Sequence, residues 1–184
     1  MHWIELINVE KRFLNHTFNL CVEPKDFILV TGSNGSGKTT LIYLLVGFIR
    51  PDRGQIKQKK IKIGYCPERV ILPRYIKVYE YLSTLAKVKK APLDQQLLAL
   101  FQIPLNQSIH YLSKGNMQKV ALLIAFMGNP DLIILDEPFT GLDIDSQIKF
   151  ADYLKVKQGQ GKSIMISTHQ PKFLEHLANK RIDL

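Results

Sequence analysis

Cysteine is scarce in this chain. Cys21 and Cys66 are the only two, and they stand apart without metal-ligand spacing. Both read as reduced packing residues of a cytosolic protein. Long apolar runs are missing as well: none approaches the roughly 20 residues that span a bilayer. The opening stretch MHWIELINVE lacks a basic region followed by an apolar run, so no secretory signal is expected. Internal repeats and low-complexity linkers are absent. Few aromatics interleave with the lysines, which argues against a stacking platform for single-stranded nucleic acid. No N-K-x-D motif occurs, so guanine is not the expected base. Acidic residues are fewer than basic ones, leaving a formal net charge of +9. That charge suits a nucleic acid, an anionic membrane face or a phosphate ligand, and it equally suits a solvated lysine-rich surface.

What is present fits one domain, or one domain with a small insertion. The chain has 184 residues, 46% apolar and 22% charged, enough to bury a sizeable core. FILVTG (27–32), DLIILDEP (131–138) and KSIMIST (162–168) are short apolar runs read as buried strands. IKQKKIKIG (56–64) alternates apolar and basic residues, as one strand with a wet face would, and IKIGY within it is a strand candidate. KTTLIYLLVGFI, VYEYLSTLAKV, LDQQLLALFQI, SQIKFADYLKVKQ and PKFLEHLAN read as helices, the last with proline in its first turn. Strands alternating with helices predict an α/β fold with a mainly parallel central sheet. The stretch from about 78 to 126 breaks the alternation and reads as an inserted helical subdomain.

GSNGSGKT, Gly32–Thr39, matches G-x-x-x-x-G-K-[ST] between a strand and a helix. Glycines let the backbone N–H groups of Gly32, Ser33, Asn34, Gly35, Ser36 and Gly37 curl around phosphates. The helix N-terminus adds a favourable dipole. Lys38 is expected on the β- and γ-phosphates and the Thr39 hydroxyl, beside Thr40, on Mg²⁺. Asp136 emerges at the C-terminal end of an apolar strand, where ligands bind in open α/β sheets, and is placed to hold the Mg²⁺ through water. Glu137, one residue on, is placed to polarise the attacking water. His169 ends a third apolar strand, at the mouth of the same sheet. Ser113 opens the helix that follows it, either as an ordinary N-cap or aimed at a phosphate.

Taken in order, Gly32–Thr39, LSKGN (112–116), LIILDEP, TGLD (140–143) and STH ending in His169 resemble the ATP-binding cassette family across nearly the whole chain. The resemblance implies a P-loop NTPase fold with N-terminal antiparallel β strands, a mainly parallel sheet and a small helical subdomain over about 78–126 of a single domain, 1–184. It implies two cassettes packed head to tail, as a homodimer or heterodimer. The Ser113 hydroxyl and Gly115 N–H of one would then bind the γ-phosphate held by the other, with Asp143 near the partner's site. His169 looks like the switch histidine, and Phe13 stands roughly where the family stacks an aromatic on adenine. Two positions depart from the family pattern. The signature reads LSKGN rather than LSGGQ, and Glu68 stands where a glutamine usually touches Mg²⁺.

The resemblance therefore implies an ATPase, using ATP and Mg²⁺, that powers a separate multi-spanning permease on the inner face of the cell membrane. The short chain suggests an exporter, and no regulatory C-terminal domain and no nucleic-acid partner are expected. The permease would dock near Glu68 and the segment RVILPRYIKVYEYL (69–82). The alternative reading is a soluble cassette acting on nucleic acid, on ribosomes or in cofactor assembly.

Overall fold

In the computed structural model, residues 2–169, 171 and 174–184 are described. Two sheets share the chain. The first is antiparallel, in the order β2–β1–β4, from Ile4–Glu10 (β1), Thr17–Val22 (β2) and Arg53–Gln58 (β4). The second has five strands in the order β5–β6–β7–β3–β8. Its members are Phe27–Thr31 (β3), Ile63–Cys66 (β5), Leu132–Asp136 (β6), Ser163–Ser167 (β7) and Lys180–Asp183 (β8), and all its pairings are parallel. The helices are Lys38–Val46 (α1), Val78–Lys89 (α2), Gln95–Phe101 (α3), Lys114–Phe126 (α4) and Ile144–Gly159 (α5).

The parallel sheet is apolar on both faces because helices cover both. Every residue of β3, β6 and β7 is buried. Alternate residues part company: Phe27, Leu29, Ile133, Leu135, Ile164 and Ile166 join a core built with α2 to α5. Ile28, Val30, Leu132, Ile134 and Met165 join a second core with α1 and the antiparallel sheet. The two-residue strand period thus sorts one apolar run into two cores.

Two expectations need correction. IKQKKIKIG is not one strand. It ends β4 in one sheet and begins β5 in the other. Between them the Lys59 N–H donates to Trp3 O and the Lys62 N–H to Asp131 Oδ2, so tertiary partners turn the chain where the alternation runs on. The helix read over KTTLIYLLVGFI stops early, because Gly47 takes a left-handed conformation and its N–H caps onto Tyr43 O. The expected helix over PKFLEHLAN falls partly outside the described residues, and 174–177 form turn.

The helical segment is tied to the sheet layer by Asp94. This residue caps α3 by accepting from Leu97 N at 3.0 Å, and its other oxygen accepts from Tyr153 Oη at 2.7 Å and Lys157 Nζ at 3.0 Å, both on α5. Burial alone would raise the Asp94 carboxyl. The bonds from Tyr153, Leu97 and Lys157 outweigh it and hold the group below its ordinary value of 3.8. A depressed carboxyl contributes stability above its unfolded value and loses it as pH falls through the folded one. Asp94→Ala should therefore cost about 2–3 kcal/mol near neutral pH, from a lost cap and two orphaned donors. In urea unfolding, that difference should shrink below about pH 4.

Candidate active site

The C-terminal ends of β3, β6 and β7 meet at one edge of the parallel sheet. β7 lies between the other two, so Ser167 is set directly beside Asp136 in register. Past β3 the chain enters the Gly32–Thr39 loop. Gly37 precedes α1 at φ +103°, and a Cβ there would meet the His16 ring and Leu14 at about 3.1 Å, so only glycine fits. Lys38 is buried, and its ammonium donates to Gly32 O at 2.8 Å and Ser33 O at 3.0 Å.

Asp136 is almost fully buried. One of its oxygens accepts from Thr39 Oγ1 at 2.9 Å, and the other accepts from Ser167 Oγ. Glu137 follows with φ +47°, a left-handed conformation that costs a non-glycine residue of order 1 kcal/mol or more. Its N–H is held by Ser167 O and Ser167 Oγ, each at 3.1 Å. Its side chain turns to His169, with Nδ1 2.9 Å from Glu137 Oε2.

Lys38, Thr39, Asp136, Glu137 and His169 line a cleft of about 620 Å³ with Phe13, Leu14, Asn34, Gly35, Gly37, Thr40, Glu68, Arg69 and Thr140. The structure thus brings together most residues the sequence singled out. Phe13 is two-thirds exposed at the cleft edge, with the Lys11 ammonium 5.7 Å from its ring centre. Gly32, Ser33 and Ser36 belong to the loop without lining the cleft. Among the lining residues, Leu14 escaped sequence reasoning, while Arg69 and Thr140 were read only as parts of 69–82 and TGLD, not of this cleft. The role of Ser167, which locks Asp136 and Glu137, escaped it too. Its signal was present in STH, but its role follows only from β6 and β7 being neighbours. A hydroxyl on a carboxylate, opening onto a cationic loop, is a hard-oxygen donor set that suits Mg²⁺. Thr39 and Asp136 could hold that ion, with Glu68 in the same cleft.

Ser113, Gly115 and Asp143 do not line this cleft. They lie at the start of α4 and in the TGLD turn that meets it. Ser113 caps α4 by accepting from Asn116 N at 3.2 Å, so the N-cap reading holds. A Cβ on Gly115 would lie 2.4 Å from Gly141 O, so the start of α4 is pressed onto the TGLD turn. Asp143 caps α5, accepting from Ser146 N at 2.8 Å and Ser146 Oγ at 2.9 Å. Those two bonds and Lys119, 3.5 Å away, draw its carboxyl down to about 2.

The sequence profile of the ABC transporter family matches residues 15–140, more than half of the chain. This chain belongs to the ABC transporter family. It has the P-loop sequence and the fold of an ATP-binding cassette of that family. It is 36% identical over 157 residues to an uncharacterized ABC transporter ATP-binding protein of Methanocaldococcus jannaschii, covering 81% of this chain and 60% of that protein. It is also 36% identical over 156 residues to the zinc import ATP-binding protein ZnuC of Rickettsia prowazekii, covering 80% of this chain and 67% of that protein. The chain thus spans about three-fifths to two-thirds of the length of these relatives. A solved ATP binding subunit of an ABC transporter superposes with a TM-score of 0.88 at 25% identity, covering 99% of this chain and 85% of that one.

The contact between α4 and the TGLD turn of the cassette can be tested by stability. Gly115→Ala would gain helix propensity of about 1 kcal/mol, yet its Cβ meets backbone that must shift. A net loss of about 1–2 kcal/mol is expected in thermal or urea unfolding, against near-neutrality for Lys114→Ala one residue away.

Proposed function

We propose that this cassette binds ATP in the Phe13–His169 cleft, hydrolyses it across a head-to-tail pair of cassettes, and thereby drives a separate membrane permease. The observation that carries this reading is the contact chain from Thr39 through Asp136 and Ser167 to Glu137 and His169. It joins a hydroxyl–carboxylate pair that suits a metal to a second carboxylate that suits a base, and Lys38 lines the same cleft, which supports the reading. Lys38 would exchange its carbonyl partners for the β- and γ-phosphates, and the loop N–H groups and α1 dipole would hold the rest. Phe13 would stack on the adenine. Thr39 and Asp136, joined by Glu68, would hold Mg²⁺, which when bound neutralises phosphate charge. Glu137, aimed by its left-handed backbone and by His169, would accept the proton of the attacking water.

Ser113, Gly115 and Asp143 are proposed to serve the partner's nucleotide. Their placement away from their own cleft supports this, as does the glycine contact that sets α4 against the TGLD turn. The start of α4 would then present its dipole and the Ser113 hydroxyl to a γ-phosphate across the interface. Whether the partner is an identical copy does not alter this geometry.

A groove of about 330 Å³ between Val70–Arg74 and Ile109–Met117 would receive the permease. Exposed Ile71, Tyr75 and Tyr111 at this end of the cassette, and the Tyr75 and His110 rings stacked 5.8 Å apart, support a docking surface. Among the described residues no helix is long and apolar enough to cross a membrane, which fits a subunit that borrows its span and sits on the inner face of the membrane. The short chain suggested export. Zinc import proteins among relatives at 31–36% identity favour uptake instead, and uptake is the direction proposed.

Two measurements test this. Glu137→Gln keeps the side-chain shape but removes the base, so with Mg-ATP it should sediment as a dimer and turn over at least about 100-fold more slowly than the parent chain. Persistence as a monomer would count against a homodimeric site. Affinity capture from detergent-solubilised membranes should recover a stoichiometric multi-spanning protein. Recovery of ribosomes, nucleic acid or a soluble scaffold alone would reject the permease.

A further inference from the structure

We propose that His2, Glu5 and Cys21 form a zinc site on the antiparallel sheet, apart from the nucleotide cleft. The sequence gives no hint of it, since the ligands lie three and then sixteen positions apart. The register creates it. Glu5 on β1 is paired directly with Cys21 on β2. Ile4 and Leu6 point into the core, so Glu5 faces the other way, and the cross-strand pairing puts Cys21 beside it on that face. The Trp3 N–H donates to Val22 O at 2.7 Å, which holds the chain ahead of β1 against β2; His2 lies outside the strand, where the alternation of faces does not bind it. One ligand atom from each of the three side chains then lies within 4.8 Å of the other two.

The donor set is one imidazole, one thiolate and one carboxylate. Magnesium and calcium prefer oxygen alone, whereas zinc takes all three in a tetrahedral shell. The surroundings are organised for it. Glu23 Oε1 lies 3.1 Å from Nδ1 of His2, the carboxylate–histidine pairing that orients metal-bound imidazoles. Lys180, on β8 of the other sheet, donates to Cys21 O at 3.2 Å and to Glu23 Oε2 at 2.9 Å. One ligand's backbone and the carboxylate behind another are thus held by a single strap. Lys57 pairs with Glu5 Oε2 at 3.4 Å, and a carboxylate can still offer its second oxygen to a metal. The ligand side chains are exposed or half-buried, which leaves their rotamers room to close on an ion. Binding forms a zinc–sulfur bond and releases the Cys21 thiol proton to solvent. The fourth position takes water. The bound ion would staple the residues before β1 to the edge strand β2.

The full chain, titrated with zinc chloride in calorimetry and with cobalt chloride in absorption spectroscopy, tests this. One equivalent of zinc should bind, and cobalt should show a thiolate charge-transfer band. Cys21→Ser should abolish the band, and Cys66→Ser, which alters only the buried thiol, should keep it. His2→Ala and Glu23→Gln should each weaken zinc binding by about tenfold or more. A fluorescent ATP analogue bound equally by all four variants would show that they are folded. Failure of the metal test with nucleotide binding intact overturns the zinc site alone. Substoichiometric zinc, a band that survives Cys21→Ser, or one lost with Cys66→Ser would each overturn it.

Discussion

The cleft depends on one buried carboxylate. Asp136 is about 1% exposed, and a charge so enclosed is tolerated only when its lone pairs are occupied. Thr39 occupies one oxygen and Ser167 the other. Those hydroxyls come from α1 and β7, so a single side chain fastens the phosphate loop to two neighbouring strands. The position of β7 between β3 and β6 makes this possible. Were β6 and β7 not neighbours, the Ser167 hydroxyl would not fall beside Asp136, and the Glu137 N–H would lose both partners that hold its left-handed backbone.

Much of this was legible in the sequence, and the part that was not has a common cause. Gly32–Thr39 is contiguous, and its chemistry is stated by residue type and spacing alone. Asp136 and His169 were found because each ends an apolar run, and strand ends are where an open sheet binds ligands. Ser167 was passed over because its role belongs to a cross-strand neighbour 31 residues away. Arg69 and Thr140 enter the cleft from loops, whose paths no periodicity fixes. The strand boundary at 58–63 was invisible for a related reason. Apolar–basic alternation continues through it, while the turn is set by Trp3 and the Asp131 side chain. Where a local rule and a tertiary hydrogen bond disagreed, the tertiary bond decided.

The same division separates the P-loop cleft from the start of α4. Gly115 can approach Gly141 O only because it lacks a side chain, and that contact fixes the start of α4 relative to the TGLD turn and the Asp143 cap. The result is a helix end whose hydroxyl, dipole and neighbouring lysine are preorganised but lie outside the cleft of their own chain. The proposal that this helix end serves a second cassette rests on its lying away from the local P-loop.

Sequence distance misleads most about the cysteines. Cys66 behaves as a buried apolar residue should: burial pushes its thiol up to about 12, which keeps it protonated and inert. Cys21 has the same sequence credentials, an isolated thiol within a strand, yet it stands half-exposed beside a carboxylate and near an imidazole. The difference is one of strand parity. A residue one step along β2 would point into the core with Val22, and the thiol would have met Ile4 and Leu6 rather than Glu5. Pairing register, which assigns each side chain to a face, therefore decides which of two similar cysteines can do chemistry.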